Sequence, residues 1–102
     1  MDIHELKCWP EFYDALASDA KTFDIRRDDR AFAVGDILAM RWWDPKRRSY
    51  AQDQSEGVTG DRIFGHTEIL LFRVTYCLRN APPWVAEGYV AMGIRRVRLE
   101  TS

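Results

Sequence analysis

Apolar and polar residues alternate along several stretches of the chain and recur at helical spacing in one. Ile3 to Trp9 alternates loosely and ends at Pro10, which cannot donate to a sheet ladder but suits a first helical turn. A short strand is therefore expected to hand over to a helix. From Pro10 to about Ser18, the residues Phe12, Tyr13, Leu16 and Ala17 recur at three- and four-residue spacing, with Glu11 near the positive end of the helix dipole. In Thr22 to Arg26, Phe23 and Ile25 face one way and Thr22, Asp24 and Arg26 the other, the pattern of a strand with one buried apolar face and one polar face.

Arg27-Asp28-Asp29-Arg30 reads as a turn, and Phe32-Ala33-Val34-Gly35-Asp36 approaches another in which Gly35 takes a positive φ. A strand from Ile37 to Trp43 follows. Residues 44–60 are polar and without period, which predicts a long loop, functional or mobile. Thr67 to Leu78 is the strongest strand pattern, with Leu70, Phe72, Val74 and Tyr76 on one face. Consecutive prolines exclude regular pairing at Asn80-Ala81-Pro82-Pro83-Trp84. Gly88 to about Leu99 resumes β character with Val90, Met92 and Ile94 on one side. The order predicts an α+β, mainly β domain: a small antiparallel or mixed barrel with one N-terminal helix packed on one end.

Composition narrows the class. At 102 residues, with 46% hydrophobic and 30% charged positions, the chain is expected to be a single globular domain over 1–102. Its longest apolar runs, such as Ile69 to Phe72, are far short of the roughly 20 residues of a membrane span, and Met-Asp-Ile-His-Glu lacks the pattern of a secretory signal. No membrane association and a cytoplasmic location are the expectations. A net charge of -1 exerts no global pull on polyanions, yet 12 of the 15 cations are arginine, whose planar fork suits phosphate and nucleobase edges. Cys8 and Cys77 make no zinc-ligand spacing with His4 or His66, so buried thiols, no metal and no cofactor are expected.

The stretch Lys21-Thr22-Phe23-Asp24-Ile25-Arg26 after a short helix, followed by Phe32-Ala33-Val34-Gly35-Asp36-Ile37-Leu38, resembles the ASCH branch of the PUA-like superfamily, and in particular its small bacterial and phage members. His4-Glu5-Leu6-Lys7, Val74-Thr75-Tyr76 and Gly88 to Ile94 extend the likeness over nearly the whole chain. The motif runs glycine, any residue, lysine, two residues, acid, any residue, arginine. Lys21, Asp24 and Arg26 match it, while Asp19 stands where the glycine is expected and aspartate replaces the commoner glutamate. The resemblance implies a β-barrel of five to six strands with a cleft beside the motif and a role in RNA or modified-nucleoside recognition. It also implies, as an alternative, hydrolysis of an acetyl amide on cytidine by a lysine, a threonine and a glutamate. Lys21 occupies the lysine position, but Asp24 falls where the threonine belongs, and Glu68 is the acid nearest to a match for the glutamate.

The residues carry chemistry of their own. Asp24 and Arg26 project to one face of a strand and Lys21 lies just ahead of it, so an acid and two bases converge on a ligand. The bland counterpart is a lysine at the helix C-terminus beside a solvated ion pair. Arg27 and Arg30 in the first turn, and Lys46, Arg47 and Arg48 beyond Trp43, suit a phosphate backbone. Trp42 and Trp43 must point to opposite faces, and Trp43 is carried as the candidate ring for base stacking. His4 is expected to be structural, and Arg95, Arg96 and Arg98 to be a solvated strand end. Trp84 reads as either a lid or a loop anchor. Three functions follow: a binder of RNA, nucleotide or nucleoside at Lys21, Asp24 and Arg26; a small amidohydrolase or ribonuclease-type enzyme using Lys21 and Asp24; or an accessory protein with a protein partner.

Overall fold

A computed structural model describes residues 1–50 and 68–98 of the chain. Strands β1 (Ile3–Cys8), β2 (Phe23–Arg27), β3 (Ile37–Asp44), β4 (Ser49–Tyr50), β5 (Leu70–Leu78) and β6 (Tyr89–Val97) accompany one helix, α1 (Pro10–Ala17). The strands form one sheet in the order β1-β3-β5-β6-β2, with β4 pairing β3. β1 runs parallel to β3, and every other pairing is antiparallel. The α+β, mainly β class and the six strands agree with expectation. Closure does not: the sheet is not a closed barrel but ends at β1 on one side and β2 on the other. Near the β1 edge the Arg30 guanidinium donates to the Glu5 carbonyl at 2.8 Å, so a side chain takes up an oxygen of that strand. No helix among the described residues is long and apolar enough to cross a membrane.

The core lies on one face of the sheet. Leu6 and Cys8 of β1, Leu38, Met40 and Trp42 of β3, Leu70, Phe72 and Val74 of β5, and Val90, Met92 and Ile94 of β6 point into it, joined by Tyr13 and Leu16 of α1. Eight residues are too few for a helix to hold itself in water. Burial of Tyr13 and Leu16 therefore stabilises α1, which packs against β3, and the Tyr13 hydroxyl donates to the Glu68 carbonyl at 2.5 Å. Phe12, expected in the same stripe, instead points outward and is 46% exposed.

Three expectations are corrected. Phe23 and Ile25 are exposed while Asp24 is buried, so β2 turns its polar positions inward. Tyr76 leaves the inward row of Leu70, Phe72 and Val74, because a bulge between Val74 and Tyr76 adds one residue and reverses the side-chain phase. The described part of the expected 44–60 loop is a hairpin: the Asp44 carboxylate accepts the Lys46 and Arg47 amides, and Arg48 takes φ 54° before β4 begins. Residues 51–60 lie outside the described residues.

Gly35 takes φ 97°, as its turn requires, and its amide donates to Val74. The connection from β2 to β3 is pinned at several points. Arg79 forks onto Asp28 at 2.7 and 3.2 Å and reaches the Phe32 carbonyl at 2.9 Å. Asp36 accepts the Asp2 amide at 3.1 Å and the Ala33 amide at 3.0 Å, and pairs with His4 Nε2 at 2.9 Å.

Candidate functional site

Helix α1 ends in a way that aims Lys21. The Asp19 amide bonds to Leu16 and the Lys21 amide to Ala15, with Asp19 at φ 65° in the left-handed region. The chain then enters β2, where the Thr22 carbonyl accepts the Ile94 amide and Asp24 lies opposite Met92. The position where the motif carries glycine is thus one where the backbone favours glycine. Aspartate is among the few other residues that tolerate it.

Asp24 forms the floor of the site. Its carboxylate accepts from Lys21 Nζ at 3.4 Å on one oxygen and from Arg26 Nε on the other. With 7% of the Asp24 side chain exposed, against 16% for Lys21 and 25% for Arg26, the acid is the inner member and the two cations the outer ones. The Lys21 ammonium also lies 5.0 Å from the Phe12 ring and 5.1 Å from the Phe23 ring. Arg26 extends to within 4.0 Å of the Met40 sulfur.

These side chains open into a cleft of about 500 Å³. Lys7 and Cys8 from β1, Trp9 and Phe12 at the start of α1, and Phe23 and Ile25 from β2 complete its lining. Both edge strands of the open sheet thus contribute to one cavity. Its ionisable lining at neutral pH is three cations, Lys7, Lys21 and Arg26, against the single acid Asp24. Its walls are the half-exposed rings of Trp9, Phe12 and Phe23. Burial, and next the Asp24 carboxylate, push the Cys8 thiol up to about 11, so this sulfur is neutral and no nucleophile.

The other candidate residues lie elsewhere. Arg27 is exposed on the outward side of β2, away from Asp24. Arg30 holds the β1 edge, and Lys46, Arg47 and Arg48 form the exposed hairpin turn, where Arg47 pairs with Asp44 at 3.8 Å. Trp42 is the buried member of its pair. Trp43 packs edge-on against Tyr50 with Lys7 Nζ 4.0 Å above its ring, which links it to the cleft through Lys7. Glu68 is 70% exposed, pairs with Arg96 and does not line the cleft. Trp84 is 83% exposed. His4 is buried between Asp36 and the edge of Phe32.

Lys7, Trp9 and Phe12 escaped the sequence reading because they precede the motif. The signal was present in the Trp-Pro step, which marks where a strand ends beside a helix start. For metal ligation, Asp2, His4 and Asp36 bring ligand atoms within 4.8 Å of one another. The Asp36 oxygens already accept backbone amides and face His4, so this group latches β1 to the turn before β3.

Among known families, the model described as Domain of unknown function (DUF3850) matches residues 3–94. No curated protein matches the chain. The family match begins at the first residue of β1 and takes in every residue that lines the cleft, so the chain belongs to the DUF3850 family.

Proposed function

We propose that the chain is a cytoplasmic RNA- or nucleotide-binding domain of the ASCH and PUA-like kind, with the cleft at Lys21, Asp24 and Arg26 as its ligand site. The open sheet is read as a PUA-like barrel whose gap between β1 and β2 is the cleft mouth. One observation carries this function: three cations and three half-exposed aromatic rings line a single cavity beside one buried acid. Phosphate is taken by Lys7 and Lys21, a base stacks on the aromatic wall, and Asp24 orients Arg26 toward the ligand. Both Asp24 oxygens are engaged by cations of the protein itself, which suits an orienting role and favours binding over hydrolysis.

The test is titration of nucleoside monophosphates and short single-stranded RNAs against the wild type, Lys21→Ala and Arg26→Ala at two salt concentrations. Each substitution is expected to weaken binding by about 1 to 3 kcal/mol, with affinity falling as salt rises. Equal affinity in all three proteins removes the cleft from the function. Product released from an acetylated cytidine or from RNA, and lost in Lys21→Ala, makes the site hydrolytic instead.

A further inference from the structure

The face of the sheet opposite the core carries a second set of residues suited to nucleic acid. Across β5, β6 and β2 the register places Tyr76, Gly93 and Phe23 in one row and Leu78, Ala91 and Ile25 in the next. Directly opposed residues share a face. Exposure agrees, at 63% for Tyr76, 56% for Ile25 and 49% for Phe23. The bulge after Val74 creates this surface, since without the extra residue Tyr76 would continue the inward row. Small residues in the central strand leave a shallow floor between ridges of larger side chains.

The charged residues in the outward rows of these strands are all arginines. Arg73 and Arg95 are direct cross-strand partners, and Arg27 lies opposite Tyr89 at the other end. All three are exposed, and among the described residues no hydrogen bond or ion pair engages their side chains. Arg26, Arg79, Arg96 and Arg98, by contrast, each have a carboxylate partner. Like charges directly opposed across strands repel, and an anion between them removes that cost. The outward rows of these strands contain no acid. Phe23 and Ile25 also line the cleft, so the two surfaces meet over the edge of β2.

We propose that this outer face is a second subsite for single-stranded nucleic acid, engaging the strand as it leaves the cleft over β2. Bases stack on Phe23 and Tyr76, and phosphate sits between Arg73 and Arg95. The proposal rests on nucleotide binding in the cleft and adds that the ligand is an oligonucleotide rather than a mononucleotide. A second copy of the chain is the poorer occupant, because a two-fold contact between these faces would bury arginines from both copies with no acid in the rows to meet them.

The experiment compares uridine monophosphate with an oligouridine of about ten nucleotides. Tyr76→Ala, and Arg73→Ala with Arg95→Ala, are expected to weaken the oligomer about tenfold and leave the mononucleotide unchanged. Tyr76→Phe, which keeps the ring, should retain oligomer affinity. Lys21→Ala should weaken both ligands. An oligomer bound no tighter than the mononucleotide, or bound by the outer-face variants as by the wild type, overturns the subsite; the cleft then stands alone if Lys21→Ala still weakens the mononucleotide. No binding of either ligand removes both proposals. A concentration-dependent dimer that Tyr76→Ala dissociates, with oligomer affinity unchanged, assigns the face to self-association.

Discussion

Asp36 and Asp24 are both buried acids, and their partners give them different work. Asp36 meets the His4 ring and two backbone amides, and these hydrogen bonds, His4 first, hold its carboxyl below the usual range of about 3.9. A depressed folded-state pKa contributes stability that is complete above the ordinary carboxylate range and lost as pH falls through the folded value. The stability difference between the wild type and Asp36→Asn should therefore be largest near neutrality and shrink below about pH 4. A difference constant from neutral to acid pH, measured by urea denaturation, would show that the charge plays no part. The two thiols offer a second check. Cys8 is buried and shifted to about 11, while Cys77 is half-buried and raised mainly by desolvation. A thiol reagent at neutral pH should label Cys77 first and reach Cys8 only on unfolding. Faster labelling of Cys8 contradicts this assignment.

Among the elements, the end of α1 and the bulge in β5 decide the most. Asp19 holds φ 65° where glycine pays no steric cost, and its ion pair with Arg98 joins two exposed side chains. Asp19→Gly is expected to stabilise the protein by about 0.5 to 1 kcal/mol, raising the melting temperature by a few degrees without altering ligand affinity. A lower melting temperature would mean that Arg98 or chain entropy outweighs backbone strain. The bulge in β5 works differently: one extra residue sends Tyr76 and Leu78 to the outer face and leaves Cys77 turned toward the core.

For the molecule as a whole, the β2–β3 connection must be held so that both edge strands reach one cleft. Arg79 does this from the end of β5 through Asp28 and the Phe32 carbonyl. Asp28 also donates its amide to Gly88, so the tie joins β2, β5 and the start of β6. With the Arg79 side chain 35% exposed and Asp28 23%, the network is partly screened, and Arg79→Ala should cost about 1 kcal/mol or somewhat more. Faster amide exchange confined to residues 28–36 is the expected accompaniment. Unchanged stability and exchange would place the holding force in Phe32 and Asp36 instead.

Local pattern was sufficient for the helix, for β1, β2, β3, β5 and β6, for the Gly35 turn and for the inward row of β6, because each depends on periodicity or backbone freedom expressed within a few residues; the two-residue β4 is too short to show a period. It was also sufficient to bring Lys21, Asp24 and Arg26 near one another, since strand alternation and a helix end set their directions. Which face of β2 is buried was not legible. Apolar Phe23 and Ile25 have the stronger transfer energy, but β2 is an edge strand whose inward side meets a cleft, and Asp24 is kept there by two cations. The phase reversal at Tyr76 depends on the partner strand, where Gly93 leaves room beside Thr75, its missing Cβ falling 3.1 Å from the Thr75 hydroxyl. Lys7, Trp9 and Phe12 joined the site only when β1 and β2 were brought to either side of one cavity. Contacts between segments far apart in the chain have no periodicity to announce them, and the shape of the cleft is made of such contacts.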